Sequence, residues 1–183
     1  MTAQELEASG FAVFDTAIGP CGLAWRGTVV IGTALPEGSA ERTRAWLAKR
    51  FPAAVETAPP APVQAAVDGV IALLNGDRRE FGEVELDLGG VPEFNRRVYE
   101  ITRTIPPGKT LTYGEIAHRL GMPGSAQAVG QAMGHNPFPI IVPCHRVLAA
   151  GGKDGGFSAR GGVATKRRML VIEGALADEP TLF

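Results

Sequence analysis

Residues 136–148 read NPFPIIVPCHRVL. An apolar run between prolines delivers Cys144, His145 and Arg146 side by side, and Cys144 is one of only two cysteines in 183 residues. A thiol buried for packing alone does not call for such neighbours. A thiol attacks carbon far better once deprotonated, and with an ordinary pKa of roughly 8.5 it needs a base or a cation nearby. His145 offers a base, but adjacent residues on an extended chain point to opposite faces. Contact between Cys144 and His145 therefore requires a sharp turn, which Pro143 or the downstream glycines could make, or a bridging water. A third group would orient the imidazole, and Glu173, near the end of the last helical stretch, is one choice. The alternative is a packed thiol beside a surface histidine, and spacing alone leaves both open.

Working outward, the residues on either side divide into two halves of different character. Residues 1–90 carry 7 Lys+Arg against 12 Asp+Glu, and residues 91–183 carry 11 against 7. A basic second half on a chain of net charge −1 points to an anionic partner. The length fits one domain or two small ones. Hydrophobic residues at 45% supply a core, and the chain has no apolar run of membrane-spanning length. The polar start MTAQELEASG lacks the features of a signal peptide, and two distant cysteines make no disulfide framework, so a cytoplasmic protein is expected.

FAVFDTAI and CGLAWRGTVVIGTAL are short runs broken by glycines and read as strands. SAERTRAWLAKRF reads as a helix capped by Ser39, and VETAPPAPVQ, with prolines at 59, 60 and 62, as a loop. Val63, Val67, Val70, Ile71 and Leu74 then follow helical spacing, and EVELDL alternates like a half-buried strand. A boundary near Gly89–Gly90 separates an N-terminal α/β domain, 1–90, from a C-terminal domain, 91–183. The second half is mainly helical. A helix begins after Pro92, with Phe94, Val98 and Ile101 on one face. Another begins at Thr112, with Glu115 completing a capping box, and SAQAVGQAMGHN is a short small-residue helix after a glycine turn. The last two suggest a helix-turn-helix, and residues such as Ala128 and Gly130 allow a backbone to approach closely. PIIVPCHRVL reads as strand-like, AAGGKDGGFSARGG as a loop, and VATKRRMLVIEGA as a helix ending at Gly174.

TYGEIA (112–117), AVGQAMGHNP (128–137), IIVPCHRV, the Phe157–Ser158 pair and KRRMLVIEG (166–174) together resemble the O6-alkylguanine-DNA alkyltransferases, or methylated-DNA–protein-cysteine methyltransferases. The resemblance runs from about Glu93 to Gly174. It implies a small ribonuclease-H-like α/β domain followed by a mainly helical one, with a helix-turn-helix and a cysteine-containing active-site loop. It further implies that Cys144 takes an alkyl group irreversibly, once, from O6-alkylguanine in double-stranded DNA, with O4-alkylthymine open as a second substrate. His145 would activate the thiol through a water, held by Glu173. Tyr113 would hydrogen-bond the guanine, Asn136 would act as a hinge, and the Ser158 backbone would approach the alkylated oxygen. Arg146 is expected to be structural.

Gln127 departs from the family, which has an arginine there to fill the gap left by a flipped base. Gly156–Phe157 replace the common Asn-Tyr pair in a longer loop, where Arg160 could compensate for Gln127. Three other readings stay open: a lesion-binding protein without catalysis, like the alkyltransferase-like proteins, an alkyltransferase whose substrate range is altered by Gln127, and a cysteine hydrolase. No metal or organic cofactor is expected, since the three histidines and two cysteines show no ligand spacing. A monomer is expected.

Overall fold

The computed structural model describes residues 9–152 and 162–176. Ser158 and Arg160 lie outside them. Strands β1 (Ser9–Thr16), β2 (Gly19–Arg26) and β3 (Val29–Ala34) form an antiparallel meander, and β4 (Val55–Glu56) pairs parallel to β1, giving the order β3-β2-β1-β4. Alternation along β2 explains why its sequence is apolar almost throughout. Cys21, Leu23 and Trp25 enter the main core, while Ala24 enters a second cluster with Phe11, Ala34 and Leu47. The second cluster lies under helix α1 (Ala40–Arg50), whose N-cap Ser39 accepts the Arg42 N–H at 3.1 Å. Close docking of α1 requires glycine at 22 and 32, where a Cβ would run into Leu47 and Phe51.

The other face packs on α2 (Ala61–Leu74) and the second half of the chain. The proline-rich segment expected as a loop gives its last residues to this helix. Pro60 is the N-cap, and a proline in the first turn forfeits an N–H that has no helical partner. EVELDL is not a strand. It touches the sheet at one parallel bridge, Val30–Leu86, with Val30 N–H donating to Glu85 and Asp87 N–H donating to Val30, both at 2.9 Å. The Arg103 guanidinium donates to the Phe81 and Val84 carbonyls at 2.6 and 3.0 Å, so this segment is held by a side chain as well as by the sheet.

The second half holds α3 (Glu93–Thr102), α4 (Tyr113–Arg119), α5 (Ala126–Gly134) and α6 (Gly162–Ile172). Thr112 caps α4 through the Glu115 N–H at 3.1 Å. Buried Tyr99 of α3 donates its hydroxyl to the Ala132 carbonyl of α5 at 2.7 Å. PIIVPCHRVL, expected as a strand, is mostly turns: only β6 (Val147–Leu148) is extended, paired parallel with β5 (Leu111–Thr112). β5 runs directly into Tyr113 and β6 directly out of the Cys144–Arg146 turn, so this pairing brings Tyr113 and Cys144 to one place. No helix among the described residues is long and apolar enough to cross a membrane.

Candidate active site

The turn carrying Cys144 is built by the residues before it. The Asn136 side chain accepts the Phe138 N–H and donates to the Val142 carbonyl, both at 2.9 Å, closing a loop over residues 136–142. Within it Ile140 has φ 77°, a left-handed conformation that a β-branched residue adopts at a cost on the order of 1–3 kcal/mol. Pro143, at φ −79° and ψ 66°, makes an inverse γ-turn that brings Cys144 N–H to the Val142 carbonyl at 2.7 Å. A single 3-10 turn, Cys144–Arg146, follows. The change of direction between thiol and imidazole comes from Pro143 and this turn, not from the glycines downstream.

His145 is fully buried, and its Nε2–H donates to Glu173 Oε2 at 2.9 Å. In that tautomer Nδ1 carries the lone pair, and no described residue bonds to it. Glu173 stands just past the end of α6, where the chain turns through Gly174 at φ 79°. Gly174 N–H bonds to Val171 and Ala175 N–H to Leu170, a Schellman end that fixes where the carboxylate sits. Arg146 grips that carboxylate with two bonds, Nε to Oε1 at 2.7 Å and an Nη to Oε2 at 2.8 Å, and gives a third to the Ile105 carbonyl at 2.7 Å. Burial alone would raise the Glu173 pKa, but the Arg146 and His145 hydrogen bonds outweigh it and hold the group down at about 2. Burial pulls His145 below its ordinary value, against Glu173, which pulls it up. The pair is therefore an ionised carboxylate and a neutral imidazole.

Cys144 is buried, and burial raises its pKa despite the Asn136 hydrogen bond and the charge of buried Lys166, which favour the thiolate. The resting group is a thiol that a base must deprotonate. Lys166 Nζ donates to the Val147 carbonyl at 2.8 Å. The thiol lines a cavity of about 360 Å³ with Tyr113, Met133, Asn136 and Pro139. Burial also raises the Tyr113 pKa, keeping its hydroxyl a proton donor at neutral pH. The opposite wall comes from the first half of the chain, with Leu35, Glu37 and the partly exposed Trp46.

Cys144, His145, Glu173, Tyr113 and Asn136 thus converge. The residues named on α5 divide. Gln127 is exposed, Ala128 lines an outer groove between the halves, and Gly130 faces the Tyr113 ring, where an added Cβ would rest at 3.7–3.9 Å. Sequence reasoning missed the grip of Arg146 on Glu173, the buried charge of Lys166, and the first half's share of the cavity wall. Arg146 stood beside the cysteine and carried a signal. Lys166 and Trp46 carried none, being one cation among several on α6 and one aromatic on an amphipathic helix.

A buried thiol beside a histidine–carboxylate pair, opening on a cavity of small-molecule size, is the arrangement used by proteins whose nucleophile is a cysteine. Residues 93–175 match the family model described as 6-O-methylguanine DNA methyltransferase, DNA binding domain. The methylated-DNA–protein-cysteine methyltransferase of Mycobacterium bovis is 42% identical over 175 residues, covering 94% of this chain and 98% of that protein. The crystal structure of Mycobacterium tuberculosis OGT in complex with DNA matches with a TM-score of 0.73 at 40% identity, over 91% of this chain and 93% of that one. The O6-methylguanine-DNA methyltransferase of Pyrococcus kodakaraensis matches with a TM-score of 0.65 at 29% identity, over 90% and 99%. The chain belongs to the methylated-DNA–protein-cysteine methyltransferase family.

Proposed function

We propose that this protein repairs double-stranded DNA by taking the alkyl group of O6-alkylguanine onto Cys144, once per molecule. The observation that carries this reading is Cys144 on the wall of a cavity shared with Tyr113, next in the chain to a buried His145 bonded to Glu173. A bridging water would carry the thiol proton to Nδ1 of His145, the nitrogen opposite the one bonded to Glu173. The Cys144 sulfur then bonds to the alkyl carbon as the carbon–O6 bond breaks. The departing guanine accepts a proton from the Tyr113 hydroxyl, which is restored from the imidazolium, so the thiol proton ends on the base. Asn136 serves as the hinge between α5 and the cysteine turn, bonding both Phe138 and Val142.

The α4–α5 pair acts as a helix-turn-helix on DNA, with the base flipped into the cavity. Gln127 is exposed, and the family resemblance puts an arginine at its position, so extrusion from duplex is the weak step. Ser158 and Arg160 lie outside the described residues, and their roles as pocket backbone and compensating cation rest on the resemblance and the sequence. Residues 91–183 carry the chemistry and residues 1–90 support it, in a cytoplasmic monomer.

The deciding test is intact-protein mass spectrometry after incubation with an O6-methylguanine duplex. One methyl mass, never two, is expected on wild type and none on Cys144→Ser, which still binds the duplex. Uptake by the serine variant, or continued turnover, overturns the reading.

A further inference from the structure

We infer that Thr33, in the first half of the chain, is a positioning residue for alkyl transfer; this rests on Cys144 being the acceptor. Thr33 lies on β3, an edge strand of the sheet, and is 4% exposed. Its backbone N–H donates to the Pro137 carbonyl at 3.1 Å, and its hydroxyl donates to the Pro139 carbonyl at 2.7 Å. The second bond fixes the plane of the peptide between Pro139 and Ile140. That plane and Ile140 Cα define the φ of Ile140, the one described non-glycine residue in the left-handed region.

A β-branched residue holds such a conformation only where its surroundings leave no alternative. Asn136 restrains the loop from inside, through Phe138 N–H and the Val142 carbonyl. Thr33 restrains it from outside, at the peptide where the strain sits. Without the hydroxyl, the 139–140 peptide is free to rotate and relax Ile140. Pro139 and Cys144 both line the cavity, and only Ile140 to Pro143 separate them. Rotation would move a wall against which the substrate rests and the turn that aims the sulfur. An error near 1 Å at the reacting atoms is enough to slow a displacement strongly.

The experiment compares Thr33→Val and Thr33→Ala, which lose the hydroxyl with and without retained bulk, with Thr33→Ser, which keeps it. Single-turnover methyl transfer is measured at saturating O6-methylguanine duplex, and duplex affinity separately. Labelling by iodoacetamide reports on the thiol without requiring a docked base. The hydroxyl-free variants should transfer at least tenfold more slowly, with duplex affinity and iodoacetamide labelling within twofold of wild type. Thr33→Ser should recover the wild-type rate. Transfer at the wild-type rate by a folded hydroxyl-free variant, slowing of both reactions in parallel, or a serine variant as slow as alanine overturns the inference. Wild-type protein that takes no methyl instead overturns the assignment of Cys144. Should Thr33→Val not fold, the alanine and serine pair, differing only in the hydroxyl, decides.

Discussion

At the scale of single residues, the site is organised around a carboxylate that serves two partners. Glu173 takes two bonds from Arg146 and one from His145, so its ionised state is what holds the imidazole. Its pKa is depressed from 4.5 to about 2, which means the stability it lends is complete above about pH 4.5 and is lost as the pH falls toward 2. Glu173→Gln should flatten that part of the stability–pH curve, as read by urea midpoints. A lysine at 146 keeps the charge but cannot form the fork. Arg146→Lys should cost about 2 kcal/mol in urea unfolding and slow transfer tenfold or more, with duplex affinity unchanged. His145 works as a base only when neutral, and burial lowers its pKa below the ordinary 6.5. The transfer rate should therefore stay flat as pH falls through 6.5 and drop only at lower pH. A rate halved near 6.5 would show that burial does not control this imidazole.

Among the elements, α5 meets the site at two positions, Gly130 and Gln127. Gly130 leaves room beside Tyr113, but the room is not tight, since a Cβ would sit at ordinary contact distance. Gly130→Ala should raise stability by up to about 1 kcal/mol through helix propensity and leave the transfer rate on duplex within twofold. Gln127, exposed on the first turn of α5, lacks the charge and reach to stack into a gap in the duplex. Gln127→Arg should speed transfer from duplex while leaving thermal stability unchanged. Stopped-flow transfer and a melting curve on the same variant read both effects, and a slower duplex reaction would show that the glutamine is already suited to its task.

For the whole molecule, the two halves share one apolar core and are joined by polar bonds that cross between them. Arg103 of the second half reaches the Phe81 and Val84 carbonyls, and Arg168 reaches the Ala17 carbonyl. Burial lowers the Arg103 pKa, yet the guanidinium stays charged at neutral pH and its bonds are charge-assisted. Arg103→Ala leaves the Val84 carbonyl without that donor and the Phe81 carbonyl with only the Val84 N–H, and should cost about 2–3 kcal/mol in urea unfolding. It lies away from the thiol, so the transfer rate of the folded fraction should not change. A fall in rate would place the 81–88 segment in the path between the halves and the reaction.

How much of this was legible in the chain depends on the sequence separation of the partners. Local rules were enough for the meander, for the caps at Ser39 and Thr112, and for the end of α6 at Gly174, because each depends on residues within a few positions. The PCHRV motif likewise exposed Cys144 and His145. Local rules failed at EVELDL, where alternation promised a strand, yet the segment pairs at one bridge with Arg103 holding its carbonyls. They failed again at PIIVPCHRVL, because an apolar run has no period that separates a strand from a buried turn. The grip of Arg146 on Glu173 spans 27 residues, and the bond from Thr33 to Pro139 spans 106. The sequence by itself singled out Cys144 and His145 and determined most of the elements, since those follow from residue chemistry and short-range backbone preference. Only the tertiary structure decided that Arg146 grips the carboxylate holding the imidazole, how the thiol is turned toward the cavity, and that the first half forms one of its walls. A hydrogen bond between distant residues exists only after the chain has closed the loop between them.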